Sequence, residues 1–323
     1  MSMPMRELGR TGLRVSILSQ GGAAFGEQYG SVTLEQARAT VQRGIDAGIN
    51  LIDTSPYYGM TRSESVLGEI LAGGLRDRVL ICTKAGRYGV DQFDFSAKRI
   101  TTSLDESLQR LRTDHVDILI AHDIEFADNF EQVFTETADA LHRLKQTGKC
   151  RFIGMSGYPL GILRQAVERC SLDVVISYAH CTLQSTRLIH DLLPVADAHG
   201  VGILNGSPLS LGLLTQQGPP PWHPAPAALK AAAQKASEFC RGNGIDLSYL
   251  GMQFCLAEHR VASTITGTAQ VPELEVNLRA VGQVPDLKLV EGVKSIFREA
   301  GFLDYAWESG RWRDSETGAP SVV

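Results

Sequence analysis

Eight short apolar runs, each followed by a longer stretch with helical periodicity, limit what this chain can fold into. The runs are RVSIL (14–18), INLID (49–53), RVLICTK (78–84), HVDILIAH (115–122), RFIGMS (151–156), LDVVISY (172–178), GVGILN (200–205) and VASTIT (261–266). Near-continuous apolar runs predict parallel strands covered on both faces, whereas a half-exposed sheet would alternate. Between them, AKRITTSLDESLQRLRT puts Ile100, Leu104, Leu108 and Leu111 on one helical face, and FEQVFTETADALHRLKQTG ends in a glycine stop, Gly148. Strand then helix, eight times, predicts an α/β fold of the (β/α)8 TIM-barrel type. An open doubly wound sheet is the competitor, but no GxGxxG follows the first run. A length of 323 residues suits one such barrel, so residues 1–323 are read as a single domain.

Three segments lie outside the repeat. MRELGRTGLRVS predicts an N-terminal hairpin with a glycine-containing turn, a plug for the barrel floor. QQGPPPWHPAPAAL follows the seventh run and is read either as a lid carrying Trp222 and His223 or as a stiff spacer over the adjoining helices. A C-terminal extension from about Gly301 carries Trp307 and Trp312.

Charge and composition narrow the function. The net charge is −5 with no block of like charges, which argues against a nucleic-acid or anionic-membrane surface and for a small-molecule ligand. The start lacks the apolar segment of a signal peptide, and no run of about 18 apolar residues occurs, so a soluble, cytoplasmic protein is expected. Six cysteines are scattered without a CxxC pair or a histidine at metal spacing; they are read as reduced thiols, with no metal site. No motif specifies the oligomeric state.

Barrel enzymes carry their chemistry at the C-terminal ends of the strands. Asp53 ends the second run, Lys84 the third, and His122 with Asp123 the fourth, while Tyr58 lies just past Asp53. A phenol has an ordinary pKa near 10 and exchanges protons poorly at neutral pH. An ammonium beside it favours the phenolate, and a carboxylate beside the ammonium keeps that charged. Asp53 is therefore expected to hold Lys84, Lys84 to lower the pKa of Tyr58, and Tyr58 to exchange a proton with a substrate oxygen that neutral His122 orients.

With these residues in view, the chain resembles the aldo-keto reductase family. The carrying motifs are DTSPYYG (53–59), SESVLGEIL (63–71), Thr83-Lys84, HVDILIAH, GKCRFIGMSG (148–157), SPLSLGLLT (207–215) and ITGTAQVPELEVNL (265–278), in order over nearly the whole chain. The resemblance implies a catalytic tetrad of Asp53, Tyr58, Lys84 and His122, with Tyr57 lining the substrate pocket. It implies a nicotinamide cofactor across the barrel mouth, held by Gly22, Ser156, Gly157, Ser177, Ser207, Leu209, Gly212, Gly267, Thr268, Gln270, Glu275 and Asn277. In several relatives an asparagine follows the serine of the fifth strand and a tyrosine stacks on the nicotinamide; Gly157 and Gly206 stand there instead, so another wall for the ring is expected. Thr268 to Glu275 contains no lysine or arginine to bind a 2′-phosphate, which points to NAD over NADP, with Arg279 the nearest basic residue.

HDIEF (122–126), GSPLS (206–210) and GLLTQQGPPPWHPAP (212–226) resemble the branch of the family that oxidises C1 of an aldose to a lactone. The sugar would be of the L-galactose, L-fucose or D-arabinose type. Tyr57, Asp123, Glu125 and Trp222 are the substrate-side candidates. An NADPH-dependent aldehyde or ketone reductase using the same tetrad is the nearest alternative. A cofactor-binding regulatory subunit and a Schiff-base lyase on Lys84 are more distant ones.

Overall fold

The structure is a computed structural model describing residues 2–314; Met1 and positions 315–323 of the expected C-terminal extension lie outside the described residues. In it the first apolar run divides. Met5–Glu7 (β1) pairs antiparallel with Arg14–Ser16 (β2), and the barrel begins only with Leu18–Gly21 (β3). The break falls at Ile17, whose N–H donates to the Pro4 carbonyl while its side chain packs with Leu18, Ile49 and Met252. Periodicity could not show this, because Val15 and Ser16 on one side of the break are as buried as Leu18 on the other.

The chain then alternates. A capping box of Thr33 and Gln36 starts Leu34–Asp46 (α1), and Leu51–Asp53 (β4) and Arg62–Leu71 (α2) follow. Leu80–Ala85 (β5) leads through the Ser96 cap to Ala97–Leu111 (α3), whose Ile100, Leu104, Leu108 and Leu111 are buried as expected. Val116–Ala121 (β6) is followed by Phe130–Gln132 (α4) and Ala138–Gln146 (α5), joined by a π turn, and the chain leaves α5 through Gly148 at φ 79°. Next come Cys150–Gly157 (β7), Leu160–Arg169 (α6), Val174–Tyr178 (β8), Leu193–His199 (α7) and Gly202–Gly206 (β9). The proline-rich segment leads into Ala227–Gly242 (α8) and Leu247–Ala257 (α9), then Ser263–Thr266 (β10), Val271–Ala280 (α10) and Leu287–Glu299 (α11).

Strands β3 to β10 close into one parallel barrel in chain order, with β10 pairing β3. Inside it, Leu51, Cys82, Ile118, Ile120, Val174, Ile176, Leu204 and Ile265 meet Leu8, Leu13 and Val15 of the hairpin, so β1 and β2 plug the floor as expected. Arg6 fastens this plug by donating to the carbonyls of Leu256, Glu258 and Val261 at 2.7 Å each.

Strand side chains alternate, so the next inward positions toward the C-terminal ends are Asp53, Lys84, His122, Ser156, Tyr178 and Gly206. An apolar interior therefore gives way to a polar mouth within one strand repeat. The described part of the C-terminal extension, 301–314, packs on the barrel: Trp307 stacks on Tyr158 at 5.4 Å, and Trp312 meets Phe130 edge-on.

Candidate active site

Lys84 is the centre of the mouth. Its ammonium donates to Asp53 Oδ1 and Oδ2 at 2.6 and 2.7 Å, to the Thr54 carbonyl at 2.8 Å and to Tyr58 Oη at 3.1 Å. Burial is the strongest single influence and works against this cation, but the charge and hydrogen bond of Asp53, with smaller contributions from Tyr58 and Cys82, together hold Lys84 charged, above its ordinary pKa. The Tyr58 oxygen thus accepts from Lys84, while its hydroxyl also lies near enough to Asp53 to pull that carboxyl's pKa down against its burial. The loop carrying Tyr58 is set by a close backbone approach: a Cβ on Gly59 would lie 2.3 Å from the Gly26 carbonyl oxygen.

His122 closes the set, its ring 5.8 Å from that of Tyr58 and nearly perpendicular. Ser55 Oγ accepts the Tyr57 N–H at 3.1 Å and lies 3.0 Å from His122 Nδ1. Ser55 can give its hydroxyl hydrogen to Nδ1, and with that arrangement the ring hydrogen stands on Nε2. Burial lowers the His122 pKa to about 3, so the ring is neutral across the physiological range.

One expectation is corrected here. The sequence reading has Lys84 lowering the Tyr58 pKa; Lys84 does pull it down, but burial pushes harder and the phenol lies above its ordinary value. Tyr58 is thus a neutral phenol at neutral pH.

The other side of the mouth is built differently. Ser177 Oγ, Ser210 Oγ and Thr268 Oγ1 are buried without a hydrogen-bond partner among the described residues. The loop after β9 runs through positive φ at Ser207, Ser210, Leu211 and Gly212; the N–H groups of Ser210 and Gly212 donate to the Ser207 and Leu209 carbonyls, which leaves those of Ser207, Leu209 and Leu211 as a nest for an anion. Buried orphan hydroxyls and an N–H nest fit the amide, hydroxyls and phosphates of a dinucleotide. Gly22, at the end of β3, donates to the Asp53 carbonyl at 2.6 Å, and Ser156 Oγ accepts the Asp123 N–H at 3.1 Å. Gly267 is exposed where β10 ends, Thr268 and Gln270 lead into α10, and Leu209 lies in the nest loop. Asn277 is buried and donates to Thr266 Oγ1 at 2.8 Å. Tyr178 stands beside one of the two glycines only: it pairs with Gly206, where a Cβ would sit 3.1 Å from the Tyr178 Cβ, whereas a Cβ on Gly157 would meet Glu125 Oε2 at 2.8 Å.

Several expected residues point elsewhere. Glu275 turns to α1, where Arg43 donates to it at 2.6 Å. Trp222 is exposed on the rim with its ring 5.9 Å from Tyr29 and has no contact with the tetrad. His223 is a pin, donating to the Ser210 carbonyl and accepting the Ala225 N–H. Glu125 is covered by the extension: its carbonyl accepts from Arg311 and Trp312, and Oε1 accepts from the Tyr158 N–H and the Tyr178 hydroxyl. Burial raises its pKa to about 8. The residue that sequence reasoning missed is Arg87, which lies over the Tyr57 ring at 3.8 Å and pairs with Asp123. Its only signal was its place three residues beyond Lys84, in a loop whose path no periodicity predicts.

Comparison with known proteins agrees with this geometry. The model of the Aldo/keto reductase family matches residues 18–292. The chain is 44% identical to L-galactose dehydrogenase of Arabidopsis thaliana, covering 88% of this chain and 89% of that one. It is 32% identical to D-arabinose 1-dehydrogenase of Saccharomyces cerevisiae, covering 92% and 94%. Among solved structures, an aldo-keto reductase of Bacillus halodurans in its holo form superposes with a TM-score of 0.79 at 23% identity, over 96% of this chain and all of that one. Sequence motifs, barrel and family model converge: the chain belongs to the aldo/keto reductase family.

Proposed function

We propose that the protein is an NAD-dependent aldose 1-dehydrogenase, oxidising C1 of a cyclic aldose of the L-galactose, L-fucose or D-arabinose type to an aldonolactone. The observation that carries this reading is the Tyr58 oxygen held by Lys84 at 3.1 Å beside a neutral His122, at the open end of a barrel. The substrate class is supported by relatives named as dehydrogenases of L-galactose, D-arabinose and threo-aldoses.

The anomeric hydroxyl sits between Tyr58 Oη and His122 Nε2. The nicotinamide, when bound, supplies the acceptor for the C1 hydride. His122 donates from Nε2 to the substrate oxygen and fixes its direction. Tyr58 removes the hydroxyl proton and so must begin as the phenolate, a state that Lys84 favours and burial opposes. Orphan groups at Ser177, Ser210 and Thr268 and the nest at 207–212 would hold the dinucleotide. NAD is favoured because Glu273 occupies the first turn of α10, Arg43 is spent on Glu275, and Arg279 lies at the far end of that helix.

The test is absorbance at 340 nm with a panel of aldoses, each with NAD and with NADP, at mildly alkaline pH. NADH formation with one of the three sugar types is the expected result. A kcat/KM for NADP equal to or above that for NAD would sink the NAD assignment. A second reading, NADPH-dependent reduction of an aldehyde or ketone, is favoured by one observation: neutral Tyr58 is already a proton donor. Oxidation of NADPH by simple aldehydes, with no sugar turned over, would select it.

A further inference from the structure

Next to the tetrad lies an ion pair that proton transfer does not use. Arg87 Nη1 donates to Asp123 Oδ2 at 2.5 Å, and that oxygen is 3.6 Å from His122 Nε2. The pair therefore begins one contact away from the atom that meets the reacting oxygen. Burial would push Asp123 up, but the positive charges around it, with Arg87 both charged and hydrogen-bonded to it and Lys84 beyond, hold the carboxyl below its ordinary value. The guanidinium rests on aromatic surface: Tyr57 at 3.8 Å, and Phe93 and Phe126 at 5.3 Å each, these two stacked at 4.7 Å.

Neither partner is saturated. A guanidinium carries five N–H donors and a carboxylate about four acceptor sites. Among the described residues Arg87 Nη2 and Asp123 Oδ1 have no hydrogen-bond partner, and neither is among the polar atoms sealed from solvent. A free donor and a free acceptor, fixed side by side on an aromatic floor, complement two adjacent hydroxyls: one donates to the carboxylate and its neighbour accepts from the guanidinium. The pair is neutral overall and so carries no net charge to draw in a carboxylate or phosphate on the substrate.

Resting on the reading of C1 oxidation above, we infer that Arg87 and Asp123 form a fork for a vicinal diol, holding ring hydroxyls of a neutral sugar while C1 reacts at Tyr58. The fork selects uncharged polyols over sugar acids and sugar phosphates. It also gives Arg87 a specificity role distinct from that of the tetrad.

The experiment compares wild type with Arg87→Met on L-galactose and on its 2-, 3-, 4- and 6-deoxy analogues, with the NADH Kd measured by fluorescence titration. Loss of a charge-assisted hydrogen bond predicts that Arg87→Met lowers kcat/KM on L-galactose about 10- to 100-fold, mostly through KM. The NADH Kd should be unchanged. On the analogue lacking the contacted hydroxyl, the two enzymes should come within about threefold, since a contact already removed cannot be lost again. An equal loss on every analogue, or no loss on any, overturns the fork. Arg87→Lys, which keeps the charge beside Asp123, carries the same comparison where the methionine variant does not fold. Failure of the fork leaves sugar turnover by wild type intact, whereas a wild type inert to every aldose overturns the parent reading and the fork together.

Discussion

The two halves of the barrel mouth differ in how finished they are. On the β4 to β6 side every catalytic polar group has a partner: Asp53 both oxygens, Lys84 four acceptors, His122 a serine. On the β8 to β10 side Ser177, Ser210 and Thr268 carry orphan oxygens, and the loop after β9 turns through left-handed backbone. A proton relay must be rigid before its substrate arrives, since misplacement raises the barrier. A cofactor cradle is completed by what it binds. The first half is built to act and the second to receive.

The largest effect should come from breaking the finished half. Tyr58→Phe removes only the hydroxyl, and kcat is expected to fall about 10²- to 10⁴-fold while the melting curve stays in place. Turnover within a few-fold of wild type would remove Tyr58 from its role. In wild type the oxidation rate should climb with pH into the alkaline range, because the phenol lies above its ordinary pKa and the required phenolate grows as protons are withdrawn. No inflection is expected between pH 5 and 7, where His122 stays neutral. An inflection near 6.5 that disappears in His122→Asn would contradict that assignment.

Next in size is stability. Asp53→Ala leaves a buried ammonium unpaired and should cost about 3–5 kcal/mol in denaturant unfolding. The double variant Asp53→Ala with Lys84→Met should recover part of that loss, and no recovery would mean that the charge is not its source. For the receiving half, NADH at 100 times its Kd should add about 2.7 kcal/mol. Its hydrogen-exchange protection should concentrate at 207–212 and 268–273, and protection spread evenly round the mouth would erase the contrast between the halves. Smallest is Ser177→Ala, which removes an oxygen that bonds nothing and should shift stability by under about 0.5 kcal/mol while weakening NADH binding. A large destabilisation would show that the oxygen was already satisfied.

How far this contrast could be read from the sequence depends on the residue. Strand ends were legible because buried parallel strands are apolar until they leave the core, so Asp53, Lys84 and His122 stand out as abrupt charges. The tetrad's polarity was legible for the same reason. Burial was not: that Lys84 pulls the Tyr58 pKa down follows from charge alone, but that desolvation pulls harder needs the packing around the loop. Arg87 and the Arg43–Glu275 pair were hidden because loop paths and helix-to-helix facing leave no period to count. The division of RVSIL at Ile17 was hidden because a strand that plugs a barrel and a strand that builds it bury the same residue types.

The plug has a consequence for how the chain comes to be folded. Arg6 binds carbonyls 250 to 255 positions further along, so an early segment is fastened by one made much later. A chain emerging from its N-terminus can pair β3, β4 and β5 as they appear, but its floor stays open until α9 and the residues before β10 arrive. Contacts this distant in sequence slow closure and prolong the exposure of Leu8, Leu13 and Val15. The hairpin thus makes sealing of the barrel a late event, deferred until residues 256–261 have been made.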